Sequence, residues 1–371
     1  VQNALIKAIQ TWKNTNIPDN PAGWIIKVAQ NQLLDELRKK QRQQNLEVAV
    51  EQRISPSEPN LDSLTDDQIR MMFACCHPSL SSSDQLILIL KILGGLSIRE
   101  IAGSLMKKED SIAKAYTRAK KKFKNEEIQL RLPAANDIAE RLDLVLKIVY
   151  LLFNEGYKAV EGPGILRKEL CAEAIRLTEI LVANDLCSTP STYALLALML
   201  FHSARFDARI DEEGLPISLE DQNRSLWDRR LIDAGLEALT TSMESNEMNE
   251  YIMQAAISGE HCIANSFEET NWHRILSYYD QQLKQQNSIV VALNRVIPLE
   301  KVKGPLAASQ EIEKLEKTAH FDEYYLFYAI KSEVLRSLDE TEEAKENLKK
   351  AIALATNGKE KEYLKKKLNQ L

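Results

Sequence analysis

Leu96-Ser-Ile-Arg-Glu-Ile-Ala-Gly-Ser-Leu-Met-Lys-Lys-Glu-Asp-Ser-Ile-Ala-Lys-Ala-Tyr-Thr-Arg-Ala-Lys-Lys-Lys-Phe-Lys124 reads as two helices joined by a turn, the second of them basic. Ser97 followed by Glu100 is a capping box, in which hydroxyl and carboxylate satisfy backbone donors left over at a helix start. Ile98, Ile101, Ala102 and Leu105 then give the first helix one apolar face. The second helix is expected to begin near Glu109 to Ser111, with Ile112, Tyr116, Ala119 and Phe123 as its apolar side. At about 100° per residue, Lys114, Arg118 and Lys121 fall nearly opposite that side. One face packs and the other is cationic, as a recognition helix in the major groove of duplex DNA requires. The plainer alternative is a solvated basic helix in an ordinary bundle.

The charge distribution agrees with a nucleic-acid end. The 371 residues carry a net charge of −6, yet residues 1–132 hold 20 Lys/Arg against 15 Asp/Glu (+5), and the remainder holds 28 against 39 (−11). An acidic remainder suits solubility, protein partners or restraint of a basic module better than wrapping DNA. The length allows two or three domains, no apolar run approaches a bilayer span, and no basic-then-apolar leader opens the chain, so no membrane partner is expected. Five irregularly spaced cysteines argue for a reducing compartment, and the protein is expected in the cytoplasm. Val1 opens the chain in mid-helix, so the natural protein is expected to begin earlier.

Ahead of the basic segment, Val1, Leu5, Ile9 and Trp12 pattern an amphipathic helix over residues 1 to 13, and Asn14 to Asn20 form a polar loop. Asn20 and Pro21 are an N-cap and first-turn pair that opens a long helix to about Arg42. On it Trp24, Val28, Leu33, Leu34 and Leu37 are core candidates, whereas Lys27, Asn31 and Arg38 share a narrow surface sector. Residues 43 to 65 read as a linker. A helix through Ile69, Met72 and Phe73 comes next, followed by Cys75-Cys76-His77-Pro78 and a strongly apolar helix from Gln85 to Leu93, closed by Gly94-Gly95. Adjacent Cys and His cannot converge on one tetrahedral ion, and no second pair stands at ligand spacing, so no metal and no other cofactor is expected.

Asp19-Asn20-Pro21-Ala22-Gly23-Trp24-Ile25 through Ala29-Gln30-Asn31, with Asp35 and Arg38, resembles the part of sigma region 2 that melts and reads the minus-ten promoter element. Residues 67 to 124 resemble region 4, which reads the minus-thirty-five element. With only a short linker between them, the N-terminal third resembles an extracytoplasmic-function (ECF) sigma factor of the sigma-70 family. Phe73-Ala74-Cys75-Cys76-His77-Pro78, Gly94-Gly95-Leu96, Leu152-Phe153-Asn154-Glu155-Gly156-Tyr157 and Glu220 through Asp228 are similar to the subgroup with a large C-terminal extension. The resemblance implies RNA polymerase core and promoter DNA as partners. It implies minus-thirty-five contacts by Ser111, Lys114, Arg118 and Lys121, and minus-ten contacts by Asn16, Asn20, Lys27, Asn31 and Arg38. The family's region 2.1 helix is missing ahead of Val1, and Ala115 stands where family recognition helices often carry Arg.

From about Asp137 onward amphipathic helices are expected near 138 to 153, 168 to 183, 191 to 204, 223 to 240 and 248 to 265. Leu335, Leu338, Ala344, Leu348 and Ala351 match a tetratricopeptide-type hairpin, with Lys359 to Leu371 as a polar capping helix. Such stacks usually offer a protein or peptide ligand a concave face. His202 with Asp207, Glu260 with His261, Tyr157 and Arg224 are polar, but none has a nucleophile, an Arg clamp or a phosphate loop beside it in sequence. They read as buried polar residues at helix contacts, and the chain is expected not to be an enzyme.

The expected fold is therefore all-α. It comprises an N-terminally incomplete region 2 (1–43), a linker (44–65), a region 4 helix-turn-helix (66–132) and a helical-repeat regulatory domain (133–371). The expected function is a sigma factor directing polymerase to promoters. The alternatives are a helix-turn-helix regulator independent of polymerase core, and a helical-repeat interaction scaffold.

Overall fold

The computed structural model describes residues 71–371, apart from 74, 93–94, 106, 126–133, 158–166, 246–247, 287, 319–320 and 322. The helices expected over 1–13 and 21–42, the linker, and the candidate residues Asn16, Asn20, Lys27, Asn31 and Arg38 lie outside the described residues. Leu61–Leu371 forms one compact unit, to which everything below belongs.

Among the described residues every named element is helical, as the patterning predicts. The helices are α1 (Ser82–Ile92), α2 (Ile98–Ser104), α3 (Glu109–Asn125), α4 (Ala135–Tyr157), α5 (Lys168–Val182), α6 (Pro190–Ser203) and α7 (Arg229–Met243). They continue with α8 (Glu250–Ile263), α9 (Trp272–Gln285), α10 (Ile289–Lys303), α11 (Pro305–Thr318), α12 (Tyr325–Ser337), α13 (Thr341–Leu354) and α14 (Gly358–Leu368). Short 3-10 turns at Phe206–Ala208 and Arg224–Leu226 lie between α6 and α7, where an isolated bridge between Ile210 and Pro216 closes the turn at Gly214, whose φ is 77°.

Local chemistry sets the boundaries. Thr189, Asp228, Asn249, Asn271, Ser288 and Asn357 each accept backbone N–H bonds of the turn they open, and Pro190 follows Thr189 in the first turn of α6. Two starts differ from the periodic reading. The apolar helix expected from Gln85 begins at Ser82, because the Ser81 hydroxyl accepts from the Asp84 N–H at 3.2 Å. The helix expected from 223 begins at Arg229, because Asp228 caps it through the N–H groups of Arg230 and Leu231. Apolar periodicity runs through Leu226 and Trp227, but the cap overrides it.

The packing order follows the chain. α4 lies on α5, α5 on α6, and α6 on α7 and α8; each later helix then packs on its neighbour through α13 on α14. Leu335, Ala344, Leu348 and Ala351 are buried and Leu338 is half-buried, so the C-terminal hairpin closes as expected, and α14 contributes buried Leu364 to its end. At the other end one apolar core runs across residue 132. Phe73, Ile89, Leu90, Ile101 and Ile112 share it with Ile138, Val145, Val149, Phe153 and Leu177. The basic segment thus rests on the C-terminal helices through a common interior.

Candidate nucleic-acid interface

The α2–turn–α3 unit forms as its sequence directs. Ser97 Oγ accepts from the Glu100 N–H at 3.0 Å, and Glu100 Oε2 accepts from the Ser97 N–H at 2.6 Å, which completes the capping box. Ile101 and Ile112 are fully buried, and α3 starts at Glu109. The inner side of α3 is Ile112, Ala115 and Ala119, with Tyr116 and Phe123 half-buried against Leu80 and Leu88. Ala115 faces the core, so the position at which the family often has Arg is not part of the solvent face here.

Ser111, Lys114, Arg118 and Lys121 are all exposed. They are not equivalent. Arg118 donates from Nη2 to Asp84 Oδ1 at 2.6 Å, and Asp84, on α1, is nearly buried, with 8 % of its side chain exposed. This arginine therefore anchors α3 to α1 as well as presenting charge. Lys122 donates to the Ser79 carbonyl and Lys107 to Ser83 Oγ, so the rim of the unit is similarly tied. Lys114 and Lys121 make no ion pair with a described residue and project as mobile cations. Glu109 and Asp110 suit the positive end of the α3 dipole but set two carboxylates beside Ser111, so the cationic face proper starts at Lys114.

The face opposite the cations carries the link to the rest of the molecule. The outer oxygen of Glu100 pairs with Arg167 Nη1 at 2.6 Å, just ahead of α5, and Arg141 of α4 donates to the Phe73 carbonyl at 3.2 Å. Together with the packing of α4 on α1 and α2, these contacts seat the C-terminal helices behind the unit. Sequence reading missed all of them, since Glu100 with Arg167 and Asp84 with Arg118 are distant pairs with no periodic signal.

The other polar candidates divide differently from their sequence neighbourhoods. Asp207 pairs with Lys168 at 2.7 Å instead of with His202, and Glu260 pairs with Arg274 at 2.9 Å. His202 meets Tyr157, their rings 4.7 Å apart, and both meet Arg205, while Arg224 stacks on Trp227. The sequence reading saw no arginine clamp at these residues; the fold assembles arginines there. Cys75 and Cys76 are buried with their thiols pushed up by desolvation, to about 11 and about 12. Among the described residues no group of three His, Cys, Asp or Glu is placed to hold a metal ion, and no helix is long and apolar enough to cross a membrane.

Comparison with known proteins adds to this geometry. Residues 1–43 match Sigma-70 region 2, and residues 141–243 match a family of unknown function, DUF6596. No solved structure matches the chain. The uncharacterized protein R00370 of Rhizobium meliloti (strain 1021) is 35 % identical over 377 residues, covering 100 % of this chain and 88 % of that protein. With that identity along its whole length, the chain belongs to the family of the Rhizobium meliloti protein R00370.

Proposed function

We propose that this protein is a transcription initiation factor of the ECF sigma type. In this reading residues 1–43 open the promoter, α2 and α3 read the minus-thirty-five element as a helix-turn-helix, and the helices from α4 onward form a tetratricopeptide-like regulatory domain. RNA polymerase core and promoter DNA are the partners, the cytoplasm is the place of action, and no catalytic step is assigned to the chain. The observation that carries the reading is the two-sidedness of α3. Its inner face is core, and its outer face offers Lys114 and Lys121 to phosphates beside a Sigma-70 region 2 match in the same chain.

The regulatory part of the proposal has its own support. The C-terminal helices pack on α1 and α2, behind the cationic face, and so favour ordering of the reading unit over masking it. The test is transcription from a defined promoter with purified core polymerase and the full chain, over a range of salt. Activity that needs both core and this protein, and that falls in a Lys114→Ala/Lys121→Ala variant, supports the reading. Salt-dependent promoter binding with no core dependence would mark a free-standing regulator instead. Absence of any salt-dependent DNA binding would leave the interaction scaffold.

A further inference from the structure

The ends of α4, α6 and α8 converge on a cluster of arginines. Arg205, which follows α6 and is 9 % exposed, donates from Nη2 to Tyr157 Oη at 3.0 Å and to His202 Nδ1 at 3.0 Å. An imidazole that accepts at Nδ1 is neutral and carries its proton on Nε2. The Arg209 guanidinium lies 3.4 Å from the centre of the Tyr157 ring and donates to the Tyr157 carbonyl. Through Trp227 a further cation joins the cluster, with Arg224 at 4.5 Å and Arg205 at 5.9 Å from the Trp227 ring centre.

Among the described residues no carboxylate pairs with Arg205, Arg209 or Arg224, although acidic residues outnumber basic ones in this part of the chain. Arg205 is buried and Arg209 and Arg224 are half-buried, so their like charges oppose one another. Burial first, and Arg205 among the further contributors, pushes Arg209 and Arg224 below their ordinary range against the opposing pull of Glu360 and Glu268; burial and neighbouring arginines move His202 well below its own range and take His261 down to about 3. Buried donors are also left over. Arg205 Nε, Arg224 Nη2 and the Trp227 indole N–H have no partner, and neither do Ser203 Oγ, Gln222 Oε1 and His261 Nδ1.

A purely structural role accounts for part of this. Arg209 holds the terminal carbonyl of α4, and Arg224 donates to the carbonyls of His261 and Ala264 at 2.6 and 2.8 Å, closing the end of α8. It does not account for Arg205, whose contacts are a hydroxyl and aromatic rings, nor for three buried donors left without a partner. Uncompensated buried cations are costly, and a bidentate oxyanion is the group that offsets them while using free guanidinium and indole donors.

We propose that Arg205, Arg209 and Arg224, with Tyr157, His202 and Trp227, form a binding site for a small oxyanion-bearing ligand, a metabolite presenting a phosphate or carboxylate group. The site lies within the segment matched by the family of unknown function, and it stands whether or not the chain is a sigma factor. Its occupant would be sensed between α4, which shares the core behind α2 and α3, and the helices that follow.

The test needs neither polymerase nor promoter. The full chain is titrated with inorganic phosphate and, separately, with citrate, against sodium chloride at matched ionic strength, with thermal unfolding and Trp emission as readouts. A saturable rise in midpoint with at least one of the two oxyanions and not with chloride is expected. Response to phosphate alone assigns a phosphate group, and response to citrate alone a carboxylate. Arg205→Met should weaken the responding anion about tenfold or more without lowering the midpoint of the ligand-free protein, whereas Lys365→Gln on exposed α14 should change neither. Should Arg205→Met fail to fold, phosphorus-31 line broadening and its competition by citrate on the unaltered chain still decide. No saturable effect beyond matched chloride, or equal response in Arg205→Met and the parent, overturns the proposal.

Discussion

Charge of one sign on one helix does two kinds of work here, and substitutions separate them. Lys114 and Lys121 are solvent cations, so Lys114→Ala and Lys121→Ala should leave urea unfolding unchanged. Each should weaken promoter binding and reduce the salt slope of binding by about one where it contacts phosphate. Arg118→Ala should differ, because it strips a nearly buried carboxylate, Asp84, of its cation. Its unfolding midpoint should fall along with DNA binding, and Asp84→Asn should recover part of the stability but none of the binding. An unfolding midpoint unaffected by Arg118→Ala would show that the ion pair is idle in solution. The basic side of α3 was legible from spacing alone. That Arg118 is shared between DNA and the protein was not, since Asp84 lies 34 residues earlier on a helix whose apolar run gives no hint of a buried acid.

At the scale of elements, Glu100 joins the start of α2 to the start of α5. Its carboxylate closes the cap of α2 and pairs with Arg167 ahead of α5. Glu100→Ala should cost about 1 kcal/mol for the cap and a further 1.5–3 kcal/mol for the charge-assisted bond, read from the shift in urea midpoint at constant slope. Arg167→Ala should reproduce only the second part. Helix contact is set as tightly between α6 and α7. A Cβ on Gly235 would stand 2.7 Å from the Phe201 ring, and Phe201 is fully buried, so it cannot swing into solvent. Gly235→Ala should therefore destabilise by roughly 1–3 kcal/mol despite the better helix propensity of alanine. A gain in stability would mean that the two helices separate at little cost. Caps and periodicity foretold α2, α3, α5 and α6 within a residue or two. They missed the start of α7, where the Asp228 cap ends an apolar run that periodicity alone would have continued.

For the molecule as a whole, the histidines in the arginine cluster predict acid sensitivity. His261 is pushed down to about 3 and His202 well below its ordinary value, by burial first and by neighbouring arginines next. The folded state thus refuses protons that the unfolded chain accepts below about pH 6.5. The histidines' contribution is complete above that pH and is lost as pH falls toward the folded value, by roughly 2 kcal/mol at pH 5 for His261 and in the same direction for His202. Glu260, whose carboxyl burial pushes up, acts in the opposite sense closer to the carboxylate range. Urea unfolding at pH 7.5, 6 and 5 should show the decline, and His261→Gln should reduce it. A flat profile in the parent would place both rings in water.

The sequence by itself determined the local grammar of this protein: an all-α chain, a capped pair of helices with one cationic face, a hairpin near the C-terminus, and a head resembling sigma region 2. Those signals survive because caps and helical faces depend on residues at most four apart. Only the tertiary structure decided what the faces meet. It ran one core through Ile101 and Val149 across the expected divide at residue 132, tied Glu100 to Arg167, and gathered Arg205 and Arg209, at the two ends of one 3-10 turn, with Arg224 of the next into one cluster. Contacts between residues tens of positions apart leave no period in a single sequence. They arise because each helix must bury its apolar stripe against another, and the polar residues flanking those stripes are brought together as a consequence.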